Sequence, residues 1–528
     1  MQHGGDRIGA AALAGLPGSV TDRAAAGRRS TMAPGNPLWR DEITGEHSEA
    51  RTRPIAERAR PLVIDIDGTL IKSDLLLESF LDLIARHPVE AFAALPTLFS
   101  GKAALKAAFA GAAELNCTTL PYNLEVIELI RGAKSAGRRV YLASASDRSL
   151  VESVASAVGS IDGIFASDGT TNLSGSRKRV ALVKAFGMGG FDYAGNSWAD
   201  IPVWEAAQGV IVVGGSRRLR SSIAERFAEA RYLVSPGLSI APLLRSLRVH
   251  QWLKNLLIFA PPISAHQFSA VLLRPLLLLF ICFSLLASSA YITNDLLDLA
   301  GDRSHSRKRN RPLASGRLPL SAGMALAPVL LLLAAAIAAS TLPAGVARVL
   351  GGYYLLTMGY SLSLKRKPVI DVVTLACLYG VRLGGGALVA NVPLSPWFIG
   401  FAVFLFLCLA LVKRCTEIID RKSRGGGDLA GRNYLERDLP ILEAMAAASG
   451  YVAIMIFALY INSPAVMVLY RHPEYMWAVA LVLFYWISRI LLLTHRGEMH
   501  DDPVVYAVAD RVSLLCGAMV LGISVAAS

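Results

Sequence analysis

The chain has 528 residues, about three times the length of an ordinary single domain, so more than one structural unit is expected. Hydrophobic residues make up 53% and mean hydropathy is +0.45, which excludes an ordinary soluble enzyme, a disordered chain, a small secreted scaffold and a collagen. The formal charge of +13 comes from Lys and Arg clustered between apolar runs, which suits a cytoplasmic membrane face rather than a nucleic-acid groove; no nucleic-acid partner is expected.

In chain order, residues 1–58 are rich in Ala, Gly, Arg and Pro, lack the apolar core of a signal peptide, and are expected to form a mobile tail. Over 59–236, short apolar runs (LVIDI at 62–66, VYLAS at 140–144, VIVVG at 210–214) alternate with helical stretches, the pattern of a parallel α/β sheet with crossover helices. From 237 to 528 the composition shifts to apolar segments of about 20 residues, each long enough to cross a bilayer. Nine spans are predicted, at 247–266, 271–293, 321–341, 344–363, 369–390, 396–414, 441–461, 475–494 and 504–526, the first interrupted by Pro261 and Pro262. Loops 303–317, 365–367 and 413–437 are rich in Lys and Arg, whereas those near Pro262, Pro343, Asn391 and His472 carry almost none. The basic loops, and the N-terminal domain with them, are therefore expected in the cytoplasm, and nine crossings leave Ser528 on the opposite face. The six cysteines are scattered, mostly within apolar stretches, and give neither a disulfide framework nor a zinc site.

The first strand runs into Asp65-Ile66-Asp67-Gly68-Thr69, two carboxylates two residues apart at the carboxyl end of a strand, where open α/β sheets bind ligands. Strand alternation puts both on one side, so that one can attack phosphorus while the other handles the leaving-group proton. Mg²⁺ is the natural counterion for such a pair. The motif resembles that of the haloacid dehalogenase superfamily, and the likeness continues in order through Ser144, Lys178 and the segment Gly195-Asn196-Ser197-Trp198-Ala199-Asp200. It implies an α/β Rossmannoid phosphatase domain with a small helical cap, inserted over about 75–130. It also implies Asp65 as nucleophile, Asp67 as general acid/base, Ser144 and Lys178 on the phosphoryl group, and Asp65, Asp67, Asn196 and Asp200 around Mg²⁺. One departure stands out: the family's fourth motif usually opens with Gly-Asp, and Asn196 removes a negative charge from that metal site.

At the cytoplasmic end of the second predicted span stands Asn294-Asp295-Leu296-Leu297-Asp298, followed by Asp302. Steps of three and four residues put Asp295, Asp298 and Asp302 on one helical face, with Asn294 beside Asp298. Three like charges at a membrane boundary need a cation, and a Mg²⁺–diphosphate fits hard oxygen ligands. This NDxxDxxxD pattern resembles the UbiA superfamily of intramembrane prenyltransferases. The segments around Arg248 to Asn255, Tyr360 to Lys365, Asp371, Arg382 and Asp502 to Arg511 resemble its decaprenyl-phosphate phosphoribosyltransferase branch.

The resemblance implies an all-α polytopic domain of about nine helices in a bacterial inner membrane, with both active sites cytoplasmic. Its implied substrates are polyprenyl phosphate and phosphoribosyl pyrophosphate. Asp295 and Asp298 would be catalytic, binding Mg²⁺ together with Asp302, and Lys254, Asn255, Asn294, Tyr360, Lys365, Asp371, Arg382, Lys413 and Arg414 would contact substrate. The run 303–311 reads as a topology and lipid-headgroup feature. The two halves together suggest phosphoribosyl transfer followed by dephosphorylation, feeding donors for envelope glycans. A prenyltransferase acting on an aromatic acceptor, or a transporter or scaffold, are the alternatives, and homo-oligomers are compatible with each.

Overall fold

The computed structural model describes residues 60–233, 240–267, 269–305, 307–423, 433–499 and 502–528. The expected tail 1–58 and the expected junction at 236–237 lie outside the described residues.

The N-terminal part alternates β1 (Leu62–Ile64), α1 (Leu75–Arg86), α2 (Pro88–Ala94), α3 (Lys102–Ala112), α4 (Leu124–Ser135), β2 (Val140–Asp147), α5 (Arg148–Val158), β3 (Gly163–Ser167), α6 (Ser176–Phe186), β4 (Asp192–Gly195), α7 (Ile201–Trp204), β5 (Gly209–Val213), α8 (Arg217–Arg226) and β6 (Arg231–Leu233). The six strands form one sheet, parallel throughout, in the order β3-β2-β1-β4-β5-β6. β1 is central and wholly buried, which is why it reads as an unbroken apolar run. The strand order reverses at β1, so the carboxyl ends of β1, β2 and β4 open onto one crevice.

The cap is shorter than 75–130: it consists of α1, α2, the 3-10 turn Leu95–Ser100 and α3, while α4 leads directly into β2. The chain enters and leaves the cap through a paired neck, with Lys72 N–H donating to Pro121 O and Asn123 N–H to Leu70 O, both at 2.8 Å. Asp74 caps α1 by accepting from the N–H groups of Leu76 and Leu77.

The C-terminal part is helical: α9 (Ile240–Leu247), α10 (Ala260–Ser264), α11 (Ala270–Leu297), α12 (Leu299–Ser304), α13 (Leu320–Thr341), α14 (Ala344–Leu362), α15 (Ile370–Ala390), α16 (Pro396–Ser423), α17 (Leu439–Ile461), α18 (Pro464–Leu469), α19 (Met476–His495), α20 (Pro503–Ala509) and α21 (Arg511–Ala527). Among the described residues six helices are long and apolar enough to cross a membrane, namely α11, α13, α15, α16, α17 and α19, or seven if α20 and α21, bent by 81°, form one span. Nine was therefore an overcount.

Two physical causes account for it. The first predicted span is a 3-10 segment, Val249–Phe259, followed by the five-residue α10, whose first turn carries Pro261 and Pro262. α14 is a full helix, but Arg348, four glycines and three tyrosines dilute its apolar content. The 3-10 segment lies against α15, where a Cβ on Gly386 would come within 2.0 Å of the Ile258 carbonyl oxygen. Two apolar clusters hold the bundle, one of α11, α13, α14 and α15 around Phe283 and Tyr353, the other of α15, α16, α17 and α19 around Phe406 and Leu411.

α1 also packs outside its own domain. Leu81, with Leu77 beside it, joins Ile292, Leu296, Leu299, Leu313 and Leu320 in a third cluster at the acidic end of α11. The α/β part is thus docked on the helical part through its cap.

Candidate functional site

Two polar centres emerge. At the crevice of the sheet, Lys178 from the first turn of α6 donates to Asp65 Oδ1 at 2.7 Å and to the Tyr193 hydroxyl at 2.9 Å, with Asp200 Oδ1 at 3.7 Å. Tyr193 donates to Asp200 Oδ1 at 2.8 Å, and the other Asp200 oxygen accepts from the N–H groups of Asn196 and Ser197 and the Ser197 hydroxyl. Asp67 Oδ1 accepts from Leu75 N–H at the start of α1 (2.8 Å), and its Oδ2 accepts from Ser144 (3.1 Å) and Ser146 (2.8 Å). Gly68, at φ +75°, makes the turn, and the Asn196 amide lies so close that a Cβ there would meet it at 2.1 Å.

The crevice therefore joins Asp65, Asp67, Ser144, Lys178, Asn196 and Asp200, all expected from sequence. Ser144 is bonded to Asp67 and is fully buried. Sequence reasoning missed three residues here. Ser146 repeats the Ser144 position two residues along β2, a signal that strand alternation offered; Tyr193, at the centre of β4, offered none. The third is Lys106, whose Nζ reaches in from α3 to the Ala145 carbonyl at 2.7 Å. Burial lowers the Lys106 pKa, against the opposing pull of Asp67 and Asp74.

Burial pushes the Asp65 carboxyl up to about 7, with Lys178 opposing and Asp200 and Asp67 adding to the rise. For Lys178 burial works against the charge, but Asp65 and Asp200 outweigh it and hold the ammonium above its ordinary range. Three acids share the crevice with two lysines, and the rise of Asp65 comes first from burial and then from the neighbouring Asp200 and Asp67. The donors are hard oxygens of the type a divalent cation takes, though no three acids are gathered around one point among the described residues.

The second centre is the end of α11. Asp295 accepts from Arg248 Nη2 at 2.5 Å and from Arg311 Nη1 at 3.0 Å, and the same Arg311 nitrogen reaches Asp302 Oδ2 at 2.6 Å. Asp298 accepts from Lys365 Nζ (2.8 Å) and from the Asn294 amide (3.0 Å), and Lys365 also donates to Asn294 Oδ1. The three acids do not share one continuous helical face. α11 ends at Leu297 with Asp298 as its C-cap, so Asp295 and Asp302 are 4% exposed and Asp298 36%. Burial raises the Asp302 pKa, with Arg311 opposing. Among the described residues no three His, Cys, Asp or Glu side chains are gathered to hold a metal ion; here each acid is met by a cation of the protein. The donor set is nonetheless hard oxygen, and the cations facing it are those that phosphates would attract.

Deeper in the bundle, Lys254 and Lys413 converge on one carboxylate oxygen of Asp502, at 2.6 and 2.8 Å. Arg382 donates to Asn255 Oδ1 (2.7 Å) and to the Tyr353 hydroxyl (2.9 Å), and Asn255 in turn donates to Ser284. Asp371 and Arg414, expected to contact substrate, are met by protein partners. Both are fully buried and face each other at 2.9 Å, out of line for a hydrogen bond, while Tyr434 donates to Asp371 and Glu417 accepts from Arg414. They form an internal ion pair between α15 and α16, and Asn255 and Arg382 likewise satisfy each other. Tyr360 lies in the last turn of α14 and has a partner of its own. The run 303–311 is not merely a headgroup anchor, since Arg303 and Arg311 both pair inward. Arg248, Arg311 and Asp502 were missed as site residues because sequence spacing does not announce partners so distant in the chain.

The model of the UbiA prenyltransferase family matches residues 257–513, a stretch that includes the acidic end of α11, Lys365, Lys413 and Asp502. An uncharacterized protein, y4nM, of Sinorhizobium fredii is 39% identical over 471 residues, covering 88% of this chain and 90% of that protein. The membrane part of the chain is a UbiA prenyltransferase family domain. It is a multi-pass membrane transferase of that superfamily, which sets aside the transporter and scaffold alternatives. The likeness to y4nM is too long to lie in the UbiA part alone, so that relative shares the α/β part as well. Nodulation protein NoeC of Azorhizobium caulinodans is 34% identical over 272 residues, 51% of this chain and 87% of that protein. Decaprenyl-phosphate phosphoribosyltransferase of Corynebacterium glutamicum is 35% identical over 189 residues, 35% of this chain and 56% of that protein.

Proposed function

We propose that the chain is a bifunctional enzyme of the bacterial inner membrane. Its UbiA half, residues 237–528, transfers 5-phosphoribose from phosphoribosyl pyrophosphate to a polyprenyl phosphate such as decaprenyl phosphate. Its α/β half, residues 59–236, is a haloacid-dehalogenase-type phosphatase that removes the 5-phosphate from the lipid-linked product. Both sites face the cytoplasm. The observation that carries this reading is the interleaving of Arg248, Arg311 and Lys365 with Asp295, Asp298 and Asp302, while Lys254 and Lys413 meet deeper in the bundle. A donor bearing a diphosphate and a separate phosphate, and an acceptor bearing a third phosphoryl group, need more than one cationic cradle beside a hard-oxygen set. The partial identity to decaprenyl-phosphate phosphoribosyltransferase supports the same reading.

Asp295, Asp298 and Asp302 would hold Mg²⁺, which when bound neutralises the departing diphosphate. Arg248, Arg311 and Lys365 exchange their carboxylate partners for phosphate oxygens as the donor enters. Lys254 and Lys413 turn the acceptor phosphate toward the anomeric carbon. A new C–O bond forms there as the bond to diphosphate breaks, and no proton need move. In the α/β half, where Asp65, Asp67, Asn196 and Asp200 would hold a second Mg²⁺, the Asp65 carboxylate attacks the 5-phosphoryl group and Lys178 offsets the charge on its oxygens. Asp67, aligned by Ser144 and Ser146, gives a proton to the departing sugar hydroxyl and takes one back from the water that cleaves the aspartyl-phosphate.

The test uses purified protein with Mg²⁺, decaprenyl phosphate and phosphoribosyl pyrophosphate, followed by mass spectrometry of the lipid fraction. Lipid gaining ribose or phosphoribose is expected, its phosphate count reporting on the α/β half. Unchanged lipid, with an aromatic acceptor prenylated from an allylic diphosphate in a parallel reaction, overturns the reading.

A further inference from the structure

The docking of the cap has a polar counterpart that neither site uses. Glu78, on the first turn of α1, accepts from both terminal nitrogens of Arg303 on α12, at 2.8 and 2.6 Å, and both side chains are almost fully buried. Ser73 also donates to Glu78. The third guanidinium nitrogen of Arg303 donates to the Ala314 carbonyl at 3.0 Å, which ties down the loop carrying Arg311. Gly316 in that loop, at φ +68°, lies against the neck of the cap, where a Cβ would meet the Lys72 backbone oxygen at 2.7 Å.

The same short helix therefore serves both centres. At its first residue, Leu75 N–H holds Asp67, and one turn later Glu78 holds the residue next to Asp302. A fork-to-fork pair of this kind fixes orientation as well as distance, and Arg303 cannot be replaced by a point charge without losing it. With α1 held on the helical half by Leu77, Leu81 and Glu78, the cap does not swing as an independent lid. The paired neck at 70–72 and 121–123 joins this docked cap to the sheet.

We propose that Glu78 and Arg303 are positioning residues that fix the phosphatase-type crevice against the transferase half and so reserve it for a phosphate monoester carried on the membrane lipid. The inference rests on the bifunctional reading above and adds how the second site selects its substrate. Soluble monoesters, which need no alignment with the membrane, gain nothing from the clamp.

The experiment uses the full chain reconstituted in lipid nanodiscs. Wild type, Glu78→Gln, Arg303→Gln and the exchanged pair Glu78→Arg/Arg303→Glu are compared on two substrates: the lipid-linked phosphoribose made in place, and p-nitrophenyl phosphate as a soluble monoester. Each single variant is expected to slow dephosphorylation of the lipid about tenfold while changing p-nitrophenyl phosphate hydrolysis less than about twofold, since lost alignment falls on the tethered substrate. The exchanged pair restores most of the lipid activity. A parallel fall on both substrates, or no change on either, overturns the proposal. Hydrogen exchange without substrate separates this from the underlying reading. Arg303→Gln should speed exchange in α1 and in residues 311–318 but not in β1 or β4, and unchanged exchange in α1 removes the clamp whatever the reaction. If α1 loosens as expected but wild type phosphoribosylates no lipid, the bifunctional reading falls and the proposed selectivity falls with it.

Discussion

The two polar centres of this chain handle their negative charge in opposite ways. In the crevice of the sheet, Asp65 and Asp200 share Lys178 while Asp67 is met by neutral donors, and burial pushes the Asp65 carboxyl up to about 7. At the end of α11 every acid already has a protein cation against it: Arg248 and Arg311 on Asp295, Arg311 on Asp302, Lys365 on Asp298. Under the proposed function a metal would be added at the first centre, and protein cations would be exchanged at the second. A carboxylate proposed as a nucleophile must keep an oxygen accessible, a constraint that does not fall on the paired acids Asp295 and Asp302. A helix end that binds a polyanion can store the required cations on its own acids and release them when phosphates arrive.

Substitutions at the acids proposed as catalytic are expected to separate the two centres most sharply. Asp298→Asn removes the exposed acid at the end of α11 and leaves Lys365 without its carboxylate; phosphoribosyl transfer should fall at least about a thousandfold, with the α/β half still hydrolysing a soluble monoester. Lipid product at the wild-type rate would end the comparison, because the acids would then be structural. Asp65→Asn is nearly as large but confined to the other side. Dephosphorylation should drop by about three orders of magnitude, so that the lipid product keeps its 5-phosphate, while transfer stays within about threefold. Loss of transfer as well would mean that the docked halves do not work independently.

A smaller effect, on stability rather than turnover, comes from Asp371→Asn. Arg414 then lies buried with half of its compensation gone, at a cost of about 3 kcal/mol, which should appear as a lower Tm of the helical half. Unchanged Tm with weakened substrate binding would return Asp371 to the substrate-contacting set.

Much of this was legible in the sequence, and what was not has a common cause. The runs at 62–66, 140–144 and 210–214 became β1, β2 and β5, because central strands of a parallel sheet are apolar on both faces. β3 and β6 escaped because they are edge strands, half-exposed, with Gly163 and Arg231 at their starts, and β4 because it has only four residues and begins at Asp192. The acids of both motifs were legible because motif spacing is local. Their partners were not: Arg248 stands 47 residues from Asp295, Lys254 stands 248 from Asp502, and Glu78 stands 225 from Arg303. The span count failed for a related reason, since apolar content does not distinguish a transmembrane helix from a 3-10 segment packed inside the bundle. Val249–Phe259 is the second kind, held to α11 by Trp252 on Ser288 and Asn255 on Ser284.

The mildest substitution sharpens the contrast from the other direction. Asn196 stands where related motifs carry an acid, and its amide lies against the Gly68 turn, within reach of the Asp65 and Asp67 segment. Asn196→Asp changes almost no volume, so the turn is expected to survive. It adds a further acid to a crevice that already holds Asp65, Asp67 and Asp200, which should destabilise the protein slightly when Mg²⁺ is absent and tighten Mg²⁺ when it is present. The expected result is a Mg²⁺ half-saturation for dephosphorylation about fivefold lower, with little change in the rate at saturating metal. A lower rate at saturating Mg²⁺ would instead assign the Asn196 amide a direct role as a hydrogen-bond donor to the phosphoryl group. In that case the missing charge at the crevice is a working feature of its chemistry, and the comparison with the end of α11 rests on Asp65, Asp67 and Asp200 alone.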